Sequence, residues 1–171
     1  MLAISDHVLP EDALLQRYND GSGHYTDCFT THISRRTTLP EFVEAFYTAP
    51  LFRAERVVLR YIAKRPSTDQ DASDVAHARA TKFAVWEVED RSASQLLMCD
   101  VSGKTRSWFM TRDTEHGTQL FFGSAVTANP TTGTVGVLIK ATAWLHVIYS
   151  RALLKGAVKR INQGPSPVVA R

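Results

Sequence analysis

Apolar residues recur every three or four positions near the end of the chain, where Val135, Leu138, Ala141, Leu145, Ile148 and Ala152 fall on one side of a helix. The pattern runs without an internal proline and predicts one helix from about Gly133 to Ile161, roughly 40 Å long at about 1.5 Å per residue. Trp144, Val147 and Tyr149 widen the stripe, while Lys140, Thr142, His146 and Arg151 interrupt it. Lys140 and Arg151 bound only ten residues. A membrane span needs about 18 uninterrupted apolar positions, so the expectation is a packed helix with no integral span.

Upstream, the period changes. In His24–Ile33, Tyr25, Phe29 and Ile33 share a period-two face with Asp27 and Thr31, and Thr26, Cys28, Thr30 and His32 take the other. Four further β-rich runs follow: Phe83–Val88, Gln95–Val101, Thr105–Thr111 and Thr118–Thr127. Links this short exclude parallel crossovers and predict an antiparallel meander.

Between the first strand and the meander lie two predicted helices. Thr38-Leu39-Pro40-Glu41 has capping-box spacing, Phe42, Ala45 and Phe46 form an apolar stripe, and Pro50 ends that helix. A second is expected over Leu51–Lys64, with Leu51, Ala54, Val58, Tyr61 and Ile62 inward and Arg53, Arg56, Arg60 and Lys64 on a solvated basic face. No aromatics alternate with those cations, which argues against nucleic acid as a partner. Residues 66–80 are small and polar and read as a surface loop; Leu9-Pro10-Glu11-Asp12 opens a short N-terminal helix ending near Asn19-Asp20-Gly21.

Composition adds little to this picture. The chain has 171 residues, enough for one domain, expected over 1–161 with a flexible tail at 162–171. Charge changes it more. Residues 134–171 hold six Lys or Arg and no acid, leaving 14 cations against 17 acids before them. Such a segment suits the negative end of a helix dipole, or less favourably an anionic membrane surface or a protein partner. Cys28 and Cys99 stand alone, outside any metal-ligand spacing, and read as reduced, inert thiols. Met1–Gln16 carries acids and no apolar stretch, so no signal peptide is expected and the cytoplasm is the expected location.

No P-loop, dinucleotide-binding glycine pattern, nucleophile elbow or zinc-protease histidine pair is present. His32, His77 and His116 share no metal-ligand spacing; no metal and no cofactor are expected. The candidates for chemistry are polar residues on apolar elements. Asp27 shares its face with Tyr25 and Phe29, and His146 sits beside the apolar seam of the long helix. A carboxylate and an imidazole in one pocket can act as acid and base; each alone is more simply a paired structural group.

Three stretches, Tyr25-Thr26-Asp27-Cys28-Phe29, Ala45-Phe46-Tyr47-Thr48-Ala49-Pro50, and Trp144-Leu145-His146 with Arg151-Ala152-Leu153-Leu154, resemble a small bacterial family of unknown function in the START-like (SRPBCC) superfamily. The Gly-rich turn of that family is missing around Glu87–Asp100. The resemblance implies an α+β helix-grip fold, a curved antiparallel sheet wrapped around the long C-terminal helix with a cavity between them. It implies an apolar small molecule, lipid or polyketide-like, as the partner; Tyr25, Phe29, Trp86, Trp108, Phe122, Leu145 and Tyr149 are the candidate lining residues, with core packing the simpler account of the strand aromatics. Carriage of that molecule is the leading expectation, and a cyclase or dehydratase using Asp27 and His146 the alternative. Neither the pattern nor the resemblance sets the oligomeric state, and a homodimer is left open.

Overall fold

In the computed structural model the predicted meander and the strand before it join in one antiparallel sheet. Its strands are β1 (Ser5–Asp6), β2 (Tyr25–Ile33), β3 (Lys82–Phe83), β4 (Trp86–Arg91), β5 (Gln95–Asp100), β6 (Thr105–Thr114) and β7 (Gly117–Val126), in the order β1-β2-β7-β6-β5-β4-β3. The outer strands β1 and β3 are two residues each. The helices are α1 (Leu39–Tyr47), α2 (Pro50–Ile62), α3 (Asp69–Ala76) and α4 (Val137–Gln163). The structure describes residues 3–62, 64, 66–129, 132, 134 and 137–164, without the side chains of 58, 59, 62 and 137–144. No helix among the described residues is long and apolar enough to cross a membrane.

Both faces of the sheet are covered, which is why neither face of the first predicted strand is purely polar. On one side Phe29, Leu96, Phe109, Leu120 and Phe122 pack against α1, α3 and α4. On the other, Cys28, Leu97, Trp108, Met110 and Phe121 pack under Leu9, Ala13 and Leu15 of the N-terminal segment. Consecutive residues such as Phe121 and Phe122 therefore enter different cores, as the two-residue period of a strand requires.

The helical core is aromatic. Phe46 lies 4.6 Å from Phe122 and 4.9 Å from Phe109, ring centre to ring centre, and Tyr47 lies 4.9 Å from Phe52 and 4.8 Å from Phe83. The expected capping box forms: Glu41 N–H donates to Thr38 Oγ1, and the Glu41 carboxylate accepts from Thr38 N–H at 2.8 Å. Pro50 does separate two helices, standing as the first residue of α2, where its missing N–H costs nothing.

Several expectations fail. The 66–80 loop contains α3, opened by a second capping box of Thr68 with Asp71, and its Ala72, Val75 and Ala76 are buried. The N-terminal helix is a 3-10 turn, Leu14–Tyr18. The Phe83–Val88 strand is two strands, divided where Ala84 turns to a positive φ of 52°. On α2 the buried residue is Phe52, while Leu51, Ala54 and Tyr61 face outward; Val58 and Ile62 lie outside the described side chains.

The stripe chosen on α4 is the outer one. Leu145 and Ile148 are 49% and 57% exposed, and the face against the sheet is Leu153, Leu154, Ala157, Val158 and Ile161. Apolar side chains nearly encircle this helix between Leu145 and Leu154, so spacing alone does not select a face. Val135, Leu138 and Ala141 of the expected stripe fall outside the described residues or side chains. The helix runs to Gln163, past the expected start of the tail; 165–171 are not described.

Gly123 lies at the centre of the sheet, opposite Cys28 on β2 and Trp108 on β6. A Cβ there would stand 2.7 Å from the Asp27 carbonyl oxygen and 3.0 Å from both Leu15 and Trp108. Gly123→Ala should therefore destabilise the fold by about 1–3 kcal/mol through overpacking, measured as a lower midpoint in urea unfolding with unchanged slope.

Candidate functional site

The register of β2 against β7 sets Asp27 directly opposite Ser124. Both point to the helical face, as does Tyr25 two residues earlier, and α4 brings His146 and Ser150 down onto them. The Asp27 carboxylate is nearly sealed, its side chain 10% exposed; it accepts three hydrogen bonds and has His146 Nε2 beside it. Ser124 N–H and Ser124 O–H donate to Oδ1 at 2.9 and 2.7 Å, while Tyr25 O–H at 3.3 Å and His146 Nε2 at 3.2 Å reach Oδ2. Ser124 Oγ is also 2.8 Å from His146 Nε2, Ser150 Oγ is 3.4 Å away, and the Tyr25 ring stands edge-on to the imidazole.

Proton counting fixes the roles. A carboxylate only accepts, so each of its hydrogen bonds is filled by a donor, Ser124 O–H among them. The single Ser124 hydroxyl hydrogen points to Asp27, so Ser124 accepts from Nε2–H. This is not a nucleophilic serine, which would have to give its proton to an unprotonated imidazole nitrogen. The remaining ring atom, Nδ1, has no partner among the described residues, and the His146 side chain is 37% exposed. The arrangement holds an imidazole by one nitrogen and presents the other, the geometry of a base backed by a carboxylate.

A second polar pair lies one helical turn further on. Tyr149 O–H donates to Glu55 of α2. Burial pushes the Glu55 carboxyl above its usual range, an effect the Tyr149 bond partly offsets; burial and the same bond hold the Tyr149 hydroxyl well above the usual phenol range. Nearby, the Tyr47 hydroxyl is buried without a partner among the described residues, and so is Trp86 Nε1. Burial raises the Tyr47 hydroxyl, with Glu55 adding to the effect and Arg91 opposing it. Burial, then the charge of Asp27, pushes Tyr25 up to about 12.

The structure thus brings Tyr25, Asp27 and His146 together and spreads the other expected residues. Phe29 and Phe122 are 1% and 4% exposed inside the packed aromatic core, not on a cavity wall. Trp108 is on the opposite side of the sheet, its Nε1 donating to Gln95 at 2.9 Å. Leu145 faces outward, because the turn of α4 that brings His146 in carries its neighbour out. Trp86 and Tyr149 are half-buried against the helical core.

Sequence reasoning missed Ser124, Ser150, Tyr47 and Glu55. Ser124 is the one hydroxyl within the run Leu120–Val126, and Glu55 the one acid in α2, so each carried a signal as a polar exception. Cys28 is buried, its thiol pushed up to about 12 first by burial and then by Asp27, and Cys99 is raised by burial, which suits inert thiols. Among the described residues no group of His, Cys, Asp and Glu is placed to hold a metal ion.

No family model and no curated protein matches the chain. A crystal structure of a protein from Rhodobacter sphaeroides is similar at 12% identity, over 93% of this chain and 95% of that one, with a TM-score of 0.42.

Two predictions test this geometry. Nitrogen-15 NMR of the neutral imidazole should show His146 protonated on Nε2 and bare on Nδ1; the opposite tautomer would contradict the proton count. Glu55, with its folded value raised, makes the fold bind more protons than the unfolded chain at pH above the ordinary 4.5. Its contribution is complete below that value and is lost as pH rises, so Glu55→Gln should gain stability relative to the parent between acid and neutral pH in paired urea titrations.

Proposed function

We propose that the chain is a helix-grip domain that takes up a small, largely apolar organic molecule where α4 crosses β2 and β7, and that His146 moves a proton on it. The observation that carries this reading is the Asp27–Ser124–His146 network, with Nδ1 free of partners among the described residues. A base that removes a proton becomes a cation, and the nearly sealed Asp27 carboxylate beside Nε2 stabilises that imidazolium. The reaction class this suits is proton abstraction next to a carbonyl. Nδ1 takes the carbon-bound proton and the electron pair of the C–H bond passes into the carbonyl as an enolate; return of the proton at another carbon completes an isomerisation, attack of the enolate carbon on a second carbonyl whose oxygen takes the proton completes a cyclisation, and expulsion of a β-hydroxyl that leaves with the proton as water completes a dehydration.

Tyr25, Tyr149 and Trp86 supply half-buried aromatic surface for an apolar body. Carriage without chemistry is the second reading, favoured by the Tyr47 hydroxyl and Trp86 Nε1, which have no partner among the described residues, suit the oxygen of a bound molecule and need no proton transfer.

The test is a flat aromatic ketone, 2-tetralone, in deuterated buffer, followed by proton NMR. Saturable exchange of the hydrogens beside its carbonyl, slowed about 100-fold in His146→Gln, is the expected result. A rise in melting temperature with no enhanced exchange would select carriage. No exchange and no thermal response, with this ketone or with fatty acids, would overturn both readings.

A further inference from the structure

α2 is strongly amphipathic, yet the core takes little of its apolar side. Among its described apolar side chains Phe52 is buried, while Leu51, Val57 and Tyr61 are exposed, Tyr61 by 75%. On α4 the positions Leu145, Ile148, Ala152, Lys155 and Lys159 follow one another at three- and four-residue steps and are all exposed, so the outer stripe of that helix begins apolar and ends basic. The two helices hold five of the seven large apolar side chains exposed among the described residues, Val8 and Val101 being the others.

α2 and α4 lie side by side. Tyr149 bonds Glu55, and a Cβ on Gly156 would stand 3.3 Å from Ala49, the residue before α2. The number on α4 rises as the number on α2 falls, so the helices are antiparallel, and Leu145 and Ile148 come level with the turn that carries Val57. Leu51 stands one turn before Glu55 on the same row, and Leu145 one turn before Tyr149, so apolar surface flanks the contact on both helices.

Outward charge on this pair has one sign. Residues 50–68 carry five Lys or Arg and one acid, and that acid, Glu55, is turned inward to Tyr149; no acid follows Glu115. Arg53 and Arg56 are answered by Asp69 of α3, and Arg60, Lys155 and Lys159 are exposed. A second copy of the chain would set these cations against one another. An anionic bilayer answers them and takes up the apolar side chains together, and Tyr61, with an apolar ring and a polar tip, is the residue type that settles at a membrane interface.

We propose that the α2–α4 face docks the protein on a bilayer surface that contains anionic lipid. Both helices lie along the surface, with Val57, Tyr61, Leu145 and Ile148 in the headgroup layer and the cations against lipid phosphates. The docking face stands whether or not His146 is a base.

The test is sedimentation of the full chain with vesicles of phosphatidylcholine alone or mixed with phosphatidylglycerol, at low and at high sodium chloride. Two double variants accompany it, Val57→Ser with Tyr61→Ser for the apolar part and Lys155→Gln with Lys159→Gln for the charge; all four side chains are exposed, so both variants keep the melting temperature of the parent. Binding that requires phosphatidylglycerol, falls with salt and is weakened about tenfold in each double variant is the expected result. Equal binding to both vesicles, no binding to either, or binding unchanged in either variant overturns the proposal. Self-association in sedimentation velocity, abolished by the Val57 and Tyr61 substitutions, would overturn it as well by assigning the face to a second copy.

Discussion

Asp27 carries a carboxylate into the seam between a sheet and a helix, and a charge so enclosed persists only when donors surround it. Its partners come from three elements: Tyr25 from its own strand and Ser124 from β7 donate hydrogen bonds, and His146 from α4 stands at ion-pair distance and bonds to Ser124. Satisfying one side chain therefore fixes how β2 aligns with β7 and how α4 is turned. A slip of one residue between the strands would send Ser124 to the other face, and a rotation of the helix would replace His146 with Leu145. The apolar residues agree with this choice, since Ser150, Leu153, Leu154, Ala157, Val158 and Ile161 continue the same helical face.

The two halves of that seam differ in character. Toward the C-terminal end of α4 the space is filled by Leu, Val and Ile against the Phe46, Phe109 and Phe122 rings. Toward His146 and Tyr149 the contacts become polar, with Asp27, Ser124 and Glu55 each engaged and Tyr47 and Trp86 holding hydrogens that have no partner among the described residues. Rigid packing at one end and polar groups at the other is a division that lets a domain stay folded while one end meets a ligand.

Much of the secondary structure was legible because its signals are local. The Thr38–Glu41 box, the Pro50 break and the last three meander runs each rest on neighbouring residues. α3 was misread because small polar residues mask its pattern, although Thr68 with Asp71 and the Ala72, Val75, Ala76 spacing were present. Faces were harder than elements. A strand covered on both sides alternates between two apolar surroundings, so period two separates Trp108 from Phe109 without saying which one meets the helices. The same holds for α4, where apolar residues on nearly every side left the orientation to tertiary contacts. Asp27 and His146 stood out by residue type alone; their meeting depends on strand pairing and helix placement, which no local window contains. Ser124, the residue that joins them, looked like part of an apolar strand.

The sheet's outer strands, β1 and β3, have a further consequence. A long bare edge offers another chain a ladder of unpaired amides, the usual route to strand addition and to fibrillar stacking. β1 and β3 are too short to template one themselves, but each pairs with only two residues of the longer strand inside it, β2 and β4. Strand addition to this sheet would therefore have to engage the parts of β2 and β4 that lie beyond these short strands.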